Sequence, residues 1–421
     1  MKADGKFHAL FVVGVLLIFV SGRFDLSILN LAEFQVRYVL FAATILLVFL
    51  GHNSKIIRFS RSTKKFLFLF SAFVLYAAIS LFWLNDIAVG IPKFIDVMFL
   101  FFILLGLSVA IHTFKDIDRL AVIVAYFFVV IGLVYSSQIL ISGLAPDSYR
   151  GEVYEGGYNV QTRVLFMSVC SSLFLSARGG GWKYIVLLCL FLIGIILLAS
   201  KQGIIAAIFV LMSFFLLKMS CRYKSGINWK KRISKTVIAK RLLATAAVIS
   251  AASWFFYDKI NTIFMVTNQY FYSFYLWDIF TDEKFYMPYE EGDRALVFVN
   301  SIETIKEYPW FGIGLAGYLD VPGIEFYPHN IALEFLLDGG IVGGGFFLAF
   351  ATYSIYIVIM ARKSVYLPIS LIPLYMLIVS FVSGGLYDFR YYFMWVIILL
   401  YLLTTVRSTV NPSGKTILSR D

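Results

Sequence analysis

Residues 94–112 read FIDVMFLFFILLGLSVAIH, a stretch with one carboxylate and no lysine or arginine. A helix of about 20 mainly apolar residues is long enough to cross the ~30 Å hydrocarbon core of a bilayer. Comparable runs recur along the whole chain, which leaves no segment that reads as a separate soluble domain. We therefore predict an all-α integral membrane protein, with residues 1–421 forming a single polytopic domain.

The composition of the 421 residues supports this prediction. Hydrophobic residues make up 60% of the chain and charged residues only 14%, which lies outside the range of soluble globular domains. The first apolar run follows Lys2 and Lys6 and is interpreted as an uncleaved helix, because no clear cleavage site follows it. We predict twelve membrane spans, with approximate cores at 7–21, 36–51, 66–84, 94–112, 119–143, 163–177, 184–200, 203–218, 242–256, 331–360, 366–383 and 392–406.

The distribution of lysine and arginine predicts the orientation. The two most basic loops are HNSKIIRFSRSTKK and KMSCRYKSGINWKKRISKTVIAKR, at residues 52–65 and 218–241. Cytoplasmic loops carry the excess of basic residues in membrane proteins, so both loops and both termini are predicted to be cytoplasmic. Attraction to anionic lipid explains the net charge of +11, and no nucleic-acid partner is needed to account for it.

One long loop, residues 257–330, is predicted on the outer face before the tenth span. Loops of this length usually carry function. Within it, ALVFVNSIETIKEYPWFGIG at 295–314 has apolar residues at helical spacing and a stop at Tyr308-Pro309, which predicts a short amphipathic helix outside the membrane. We expect this loop to form part of the active site.

The tenth span begins with YPHNIALEFLLDGG at 327–340. Proline favours the first turn of a helix, so His329 and Asn330 are expected at a helix N-terminus, where backbone N–H groups attract anions. Glu334 and Asp338 follow on the same stripe, and ionisable groups at membrane depth are usually functional. The alternative is that these carboxylates pair with basic groups on neighbouring helices. The glycines after them, Gly339, Gly340, Gly343, Gly344 and Gly345, most simply indicate a close helix contact.

Four cations are predicted on the outer face, where the positive-inside bias disfavours them: Arg294, Lys201, Arg150 and Arg163. Pairing with lipid headgroups or carboxylates is one explanation. The other is an anionic partner, since arginine and lysine both hold phosphate oxygens. A histidine that accepts a proton near neutral pH, together with cations for a diphosphate, suits transfer of a group from a lipid-linked diphosphate to a hydroxyl. The sequence contains no CxxC or HExxH metal pattern.

Three segments carry a resemblance to a known family: SKQGIIAA at 200–207, GDRALVFVNSIETIKEYPWFGIG at 292–314 and YPHNIALEFLLDGGIVGGG at 327–345. Together they resemble the bacterial O-antigen ligases and the O-antigen or exopolysaccharide polymerases. The resemblance implies a multi-pass protein of the bacterial inner membrane with a periplasmic active site. It also implies a glycan donor on undecaprenyl diphosphate and an inverting glycosyltransferase that uses neither metal nor cofactor.

The resemblance also assigns roles to individual residues. His329 would be the base that activates the acceptor hydroxyl, and Arg294 would hold the donor diphosphate. Lys201 would be a second diphosphate ligand. The family usually has arginine at that position, and a lysine cannot form the same bidentate hydrogen bonds to phosphate oxygens. Supporting roles are expected for Asn330, Glu334, Arg163, Arg150, Asp388 and Arg390, the last two in the turn GGLYDFRYY.

Three functions remain open from the sequence. The first is a polymerase that joins lipid-linked repeat units, and the second is a ligase that transfers the glycan to lipid A-core. The third, from another class, is a polytopic transporter or lipid-linked sugar flippase, which would carry charges deep within several spans. The implied partners are the undecaprenyl-diphosphate-linked donor, a glycan or lipid A-core acceptor and membrane lipids, with a chain-length regulator as a further candidate.

Overall fold

The computed structural model describes residues 12–17, 59–112, 114, 116–143, 157–198, 200–224, 289–321, 328–386 and 388–409. Its regular secondary structure over these ranges is entirely helical, as the sequence predicts. The predicted spans at 36–51 and 242–256 lie outside the described residues. Arg150 and residues 257–288 of the long loop lie outside them as well.

The principal helices, numbered here in chain order, are α1 Arg61–Ser80, α2 Ile87–His112, α3 Ile117–Gly143, α4 Gly157–Leu175, α5 Lys183–Leu197, α6 Lys201–Lys224, α7 Tyr289–Glu307, α8 Ile331–Ala361, α9 Leu367–Ser370, α10 Ile372–Ser380 and α11 Arg390–Thr409. Short 3-10 turns at Leu81–Trp83 and Gly317–Asp320 lie between them. The predicted span at 366–383 is divided into α9 and α10, and a proline stands in the first turn of each.

Five helical stretches in the described part of the chain are long and apolar enough to cross a membrane: Arg61–Trp83, Ile87–His112, Ile117–Leu140, Asn159–Gly179 and Ile331–Ala361. Shorter apolar helices accompany them at Lys183–Leu197, Gln202–Lys218, Leu367–Ser380 and Arg390–Thr405. The molecule is therefore a multi-pass membrane protein, and the count of twelve spans stays a prediction.

Polar side chains fix where several helices begin. The Ser60 hydroxyl accepts the backbone N–H of Thr63 at the start of α1, and Asp116 accepts that of Arg119 at the start of α3. Such caps satisfy backbone donors that have no partner within the helix, which contributes about 1 kcal/mol each. The starts of α1 and α3 are thus encoded locally.

Two helices form the centre of the bundle. In α11 the residues from Tyr391 to Leu403 are all buried, and 83% of an 18-residue window within the span Asn159–Gly179 is buried inside the protein. A helix that is apolar on every side must be surrounded by protein or lipid. By contrast, α6 exposes a continuous apolar stripe that suits contact with lipid, formed by Ile205, Ile208, Phe209, Met212, Phe215 and Leu216.

The contacts define two ends of the bundle. At one end the backbone N–H of Ser60 donates to His112 at 3.1 Å, and the Tyr401 hydroxyl donates to the Phe114 carbonyl at 2.6 Å. At the other end, called here the His329 end, the ends of α1, α2, α4, α6, α8 and α10 meet the segments 308–321 and 381–389. Segments predicted to lie on the outer face therefore converge at the His329 end.

Candidate active site

His329 lies directly before α8 in an unusual backbone conformation. Its φ of 50° is in the left-handed region, where non-glycine residues are uncommon. Asn330 is the N-cap of α8, and its side-chain oxygen accepts the N–H groups of Ala332 at 3.0 Å and Leu333 at 3.2 Å. The prediction of Pro328 in the first turn is wrong, because Asn330 caps the helix and α8 begins at Ile331. Asn330, the residue after His329, therefore fixes where α8 begins.

Lys93 of α2 lies between the two carboxylates of α8. Its ammonium is 2.7 Å from a Glu334 oxygen and 2.6 Å from an Asp338 oxygen. It also lies 4.7 Å from the centre of the Tyr318 ring, where the π electrons favour a cation. Burial raises the pKa of the Tyr318 hydroxyl, and the charge of Lys93 opposes that shift. The pairing of both carboxylates with a neighbouring helix is the alternative that the sequence left open.

Lys93 was not among the predicted site residues, although the sequence carries a signal for it. The stretch IPKFIDVMFL at 91–100 carries a lysine six residues into an apolar helix. A lysine at that depth is costly unless it finds a carboxylate, and α8 carries two. The helix and its partner are separated by 245 residues, so the pairing is not visible in either segment alone.

Helix α8 is interrupted at Gly340, whose φ of 56° and ψ of −147° are not helical. The segment 309–314 lies against this break and replaces the lost helical hydrogen bonds. Ile313 and Gly314 donate to the carbonyls of Leu337 and Asp338 at 2.8 and 3.1 Å, while Ile341 donates to the Pro309 carbonyl at 2.7 Å. Broken helices are tolerated in membrane bundles where protein satisfies the freed backbone groups in this way.

The glycines of α8 serve more than the predicted close helix contact. Gly339 packs against the Tyr76 ring of α1, and the Tyr76 hydroxyl lies 3.0 Å from the carbonyl oxygens of both Phe311 and Gly339. Gly340 instead meets the non-helical backbone of residues 310–311, which sequence spacing alone did not indicate. A methyl group at Gly340 would lie 2.6 Å from the Phe311 nitrogen.

We expect Gly340→Ala to destabilise the protein by at least about 2 kcal/mol, because alanine tolerates this backbone conformation poorly and its methyl group collides with the 309–314 segment. The measurement is the thermal unfolding of detergent-purified protein. Gly345→Ala is the matched control on the same helix, since a methyl group there has open space. Equal unfolding temperatures for the two variants would show that the break does not need glycine.

A second buried charge pair holds the segment 381–389. Arg163 of α4 is only 2% exposed, lies 3.2 Å from an Asp388 oxygen and donates to the Ser383 carbonyl. The Leu386 N–H in the same segment donates to Glu334 at 2.8 Å. The segment thus joins α4 to the first turn of α8, and Arg163 faces protein groups rather than open solvent.

A chain of side-chain hydrogen bonds continues from this segment to the start of α6. Asn159 donates to the Ser383 hydroxyl at 3.1 Å, and the Ser200 hydroxyl donates to the Asn159 oxygen at 2.9 Å. Ser200 directly precedes Lys201, the first residue of α6. The backbone of Lys201 is thereby connected to the loop that contacts Glu334, while its side chain lies outside the described part of the structure.

The remaining predicted site residues are placed as follows. Arg294 lies inside α7, not just before it as the sequence suggested, because the helix begins earlier, at Tyr289; its side chain lies outside the described residues. Arg390 begins α11, is largely buried and lies over the Tyr391 ring at 4.8 Å.

Glu334 and Asp338 line a small cleft between α1 and α8. The cleft is lined by Phe73, Tyr76, Ala77, Ser80, Leu315, Glu334, Phe335, Asp338, Gly339, Gly343 and Leu386. Its walls are mainly apolar and aromatic, with the two carboxylates as the charged groups. Among the residues that the structure describes, no group of three or more His, Cys, Asp or Glu side chains could hold a metal ion.

A comparison with known protein families matches residues 185–348 to the family described as O-antigen ligase. The match confirms the resemblance that the sequence motifs indicated. It includes Lys201, Arg294 and His329, whereas Lys93, Arg163 and Asp388 lie outside it. No curated protein matches the chain significantly.

Proposed function

We propose that this protein, whose residues 185–348 carry the O-antigen ligase family match, is an inner-membrane O-antigen or exopolysaccharide polymerase. It transfers a glycan from undecaprenyl diphosphate to a hydroxyl of a lipid-linked repeat unit on the periplasmic face. The observation that carries the proposal is the position of His329. This residue is held in a left-handed conformation before the Asn330 cap, at the same end of the bundle as the start of α6.

The proposed reaction is a single displacement. The acceptor hydroxyl oxygen bonds to the anomeric carbon of the donor as the bond between that carbon and the diphosphate oxygen breaks. The hydroxyl proton passes to a ring nitrogen of His329, and the leaving diphosphate keeps the electron pair of the broken bond. Attack opposite to the leaving group inverts the sugar linkage.

The diphosphate leaving group needs positive charge as it departs. Arg294 and Lys201 are the proposed cations, with Arg150 and Arg390 as further candidates. Fixed cations stabilise such charge most when their surroundings are already organised. The side-chain hydrogen bonds from Ser383 through Asn159 to Ser200 organise the backbone next to Lys201 in this way.

Two alternatives each rest on an observation. The matched family is described as O-antigen ligase, which favours a ligase that moves the glycan to lipid A-core. The buried cluster of Lys93, Glu334 and Asp338 is the kind of intramembrane charge that a transporter or flippase carries. The family match favours glycan transfer over transport, and the polymerase and ligase share the same chemistry.

The surface glycan of a deletion strain distinguishes these functions. In the deletion strain we expect lipid A-core that carries a single repeat unit. Restoring the wild-type gene should restore the full range of glycan chain lengths on a gel. Bare lipid A-core with accumulated lipid-linked polymer would instead establish the ligase. Lipid-linked single units retained at the cytoplasmic face would establish the flippase and contradict the proposal.

A further inference from the structure

Each carboxylate of α8 uses its two oxygens for two different partners. Glu334 holds Lys93 with one oxygen and accepts the Leu386 N–H with the other. Asp338 holds Lys93 with one oxygen and accepts the Ala316 N–H at 3.0 Å with the other. The first two turns of α8 are thereby attached to α2 and to both segments that flank the helix at the His329 end.

The attachment to α2 depends on a single cation. Lys93 bonds both carboxylates, and its side chain is 15% exposed against 4% for Glu334 and 13% for Asp338. The cluster holds two acidic side chains and one basic one. The loss of Lys93 would therefore leave Glu334 and Asp338 without the cation that pairs with both. Removing one partner of a buried ion pair destabilises a protein strongly.

We propose that Lys93 is a positioning residue for His329. His329 precedes the N-cap of the helix that Lys93 holds, and Glu334 lies five residues further along. Through Glu334 and Asp338, Lys93 determines how the beginning of α8 lies against α2. The inference rests on the proposed function, because it assigns Lys93 to the same reaction.

The proposal requires a variant that removes the attachment without leaving unpaired charge. The triple variant Lys93→Met, Glu334→Gln and Asp338→Asn does this. Each amide keeps an oxygen that can accept the N–H of Leu386 or of Ala316, so the bonds to the flanking segments are preserved. The attachment to α2 is lost, together with the contact between the Lys93 ammonium and the Tyr318 ring.

The first experiment compares two quantities in proteoliposomes. These are the unfolding temperature and the kinetics of glycan transfer. We expect Lys93→Met alone to lower the unfolding temperature, and the triple variant to regain it. The kcat of the triple variant should stay at least about tenfold below that of the wild type with KM nearly unchanged, as expected when a catalytic group is displaced. Recovery of kcat together with stability would overturn the proposal, because Lys93 would then serve stability alone.

The second measurement does not depend on glycan transfer. A His329→Cys variant is prepared without the native cysteines, and its alkylation by a water-soluble maleimide is timed. We expect the triple substitution to change the rate at least about threefold, since the thiol samples a new position. A cysteine at Glu303, an exposed position of α7, should react at the same rate in both backgrounds.

An unchanged rate at position 329 would overturn the proposal even if glycan transfer were lost. A changed rate with no glycan transfer by the wild type would support the positioning role and contradict the proposed function instead. If the triple variant fails to accumulate, Glu334→Gln alone replaces it. That variant leaves Lys93 paired with Asp338 and removes one of its two attachments, so an unchanged alkylation rate in it would equally overturn the proposal.

Discussion

We expect replacement of His329 by alanine to lower glycan turnover by about 100- to 10,000-fold, the usual contribution of a general base. The expected loss is in kcat, because the base acts on a proton that moves only in the transition state. The measurement is the rate of polymer formation from purified lipid-linked repeat units in proteoliposomes, at matched amounts of protein. The surface ladder of a complemented deletion strain should show the same loss.

The backbone at His329 calls for a particular control. Alanine is disfavoured at a φ of 50°, whereas asparagine tolerates the left-handed region. His329→Asn should therefore keep wild-type stability and be as inactive as His329→Ala, since an amide cannot accept the proton. Leu348→Ala, at an exposed position of the same helix, should retain full activity. An active His329→Asn variant would exclude His329 as the base.

Replacing Arg163 by methionine is expected to destabilise the protein by about 3–5 kcal/mol, the usual cost of breaking a buried ion pair. Asp388 would lose its cation, and the Ser383 carbonyl would lose a donor. The segment 381–389 would then lose its contacts with Arg163, while Asn159 of α4 would still donate to the Ser383 hydroxyl. The measurement is the thermal unfolding of detergent-purified protein, supported by the amount of protein in the membrane.

The double variant Arg163→Met with Asp388→Leu separates pairing from a direct contact with substrate. It leaves no unpaired charge, so most of the lost stability should return. If Arg163 acts through the segment that it holds, donor KM should stay within about threefold of the wild type in the double variant. A large rise in KM for the lipid-linked donor, with stability restored, would instead show that Arg163 contacts the diphosphate directly.

The sequence was sufficient for the features that are encoded locally. Runs of apolar residues predicted the helical membrane bundle. The helix start expected near His329 and Asn330 was also correct, although Asn330 caps α8 and Pro328 lies before the cap. The family motifs lie within one continuous stretch, residues 185–348, which explains why they were recognised without a structure.

The features that were missed depend on residues distant in sequence. Lys93 meets Asp338 across 245 positions, and Arg163 meets Ser383 across 220. The break at Gly340 was not predicted because a glycine-rich helix also suits close helix packing. The segment 309–314 distinguishes a helix break from close helix packing, because it lies beside Gly340 and bonds to the freed backbone groups.

The interruption at Gly340 also divides α8 into two lengths that differ in their relation to a bilayer. It divides the 31 residues of α8 into residues 331–340 and 341–361, which at 1.5 Å per residue are about 15 and 31 Å long. The longer part alone matches the ~30 Å thickness of the hydrocarbon layer. Residues 341–361 therefore suffice to cross that layer, and residues 331–340, with His329 before them, are not needed for the crossing.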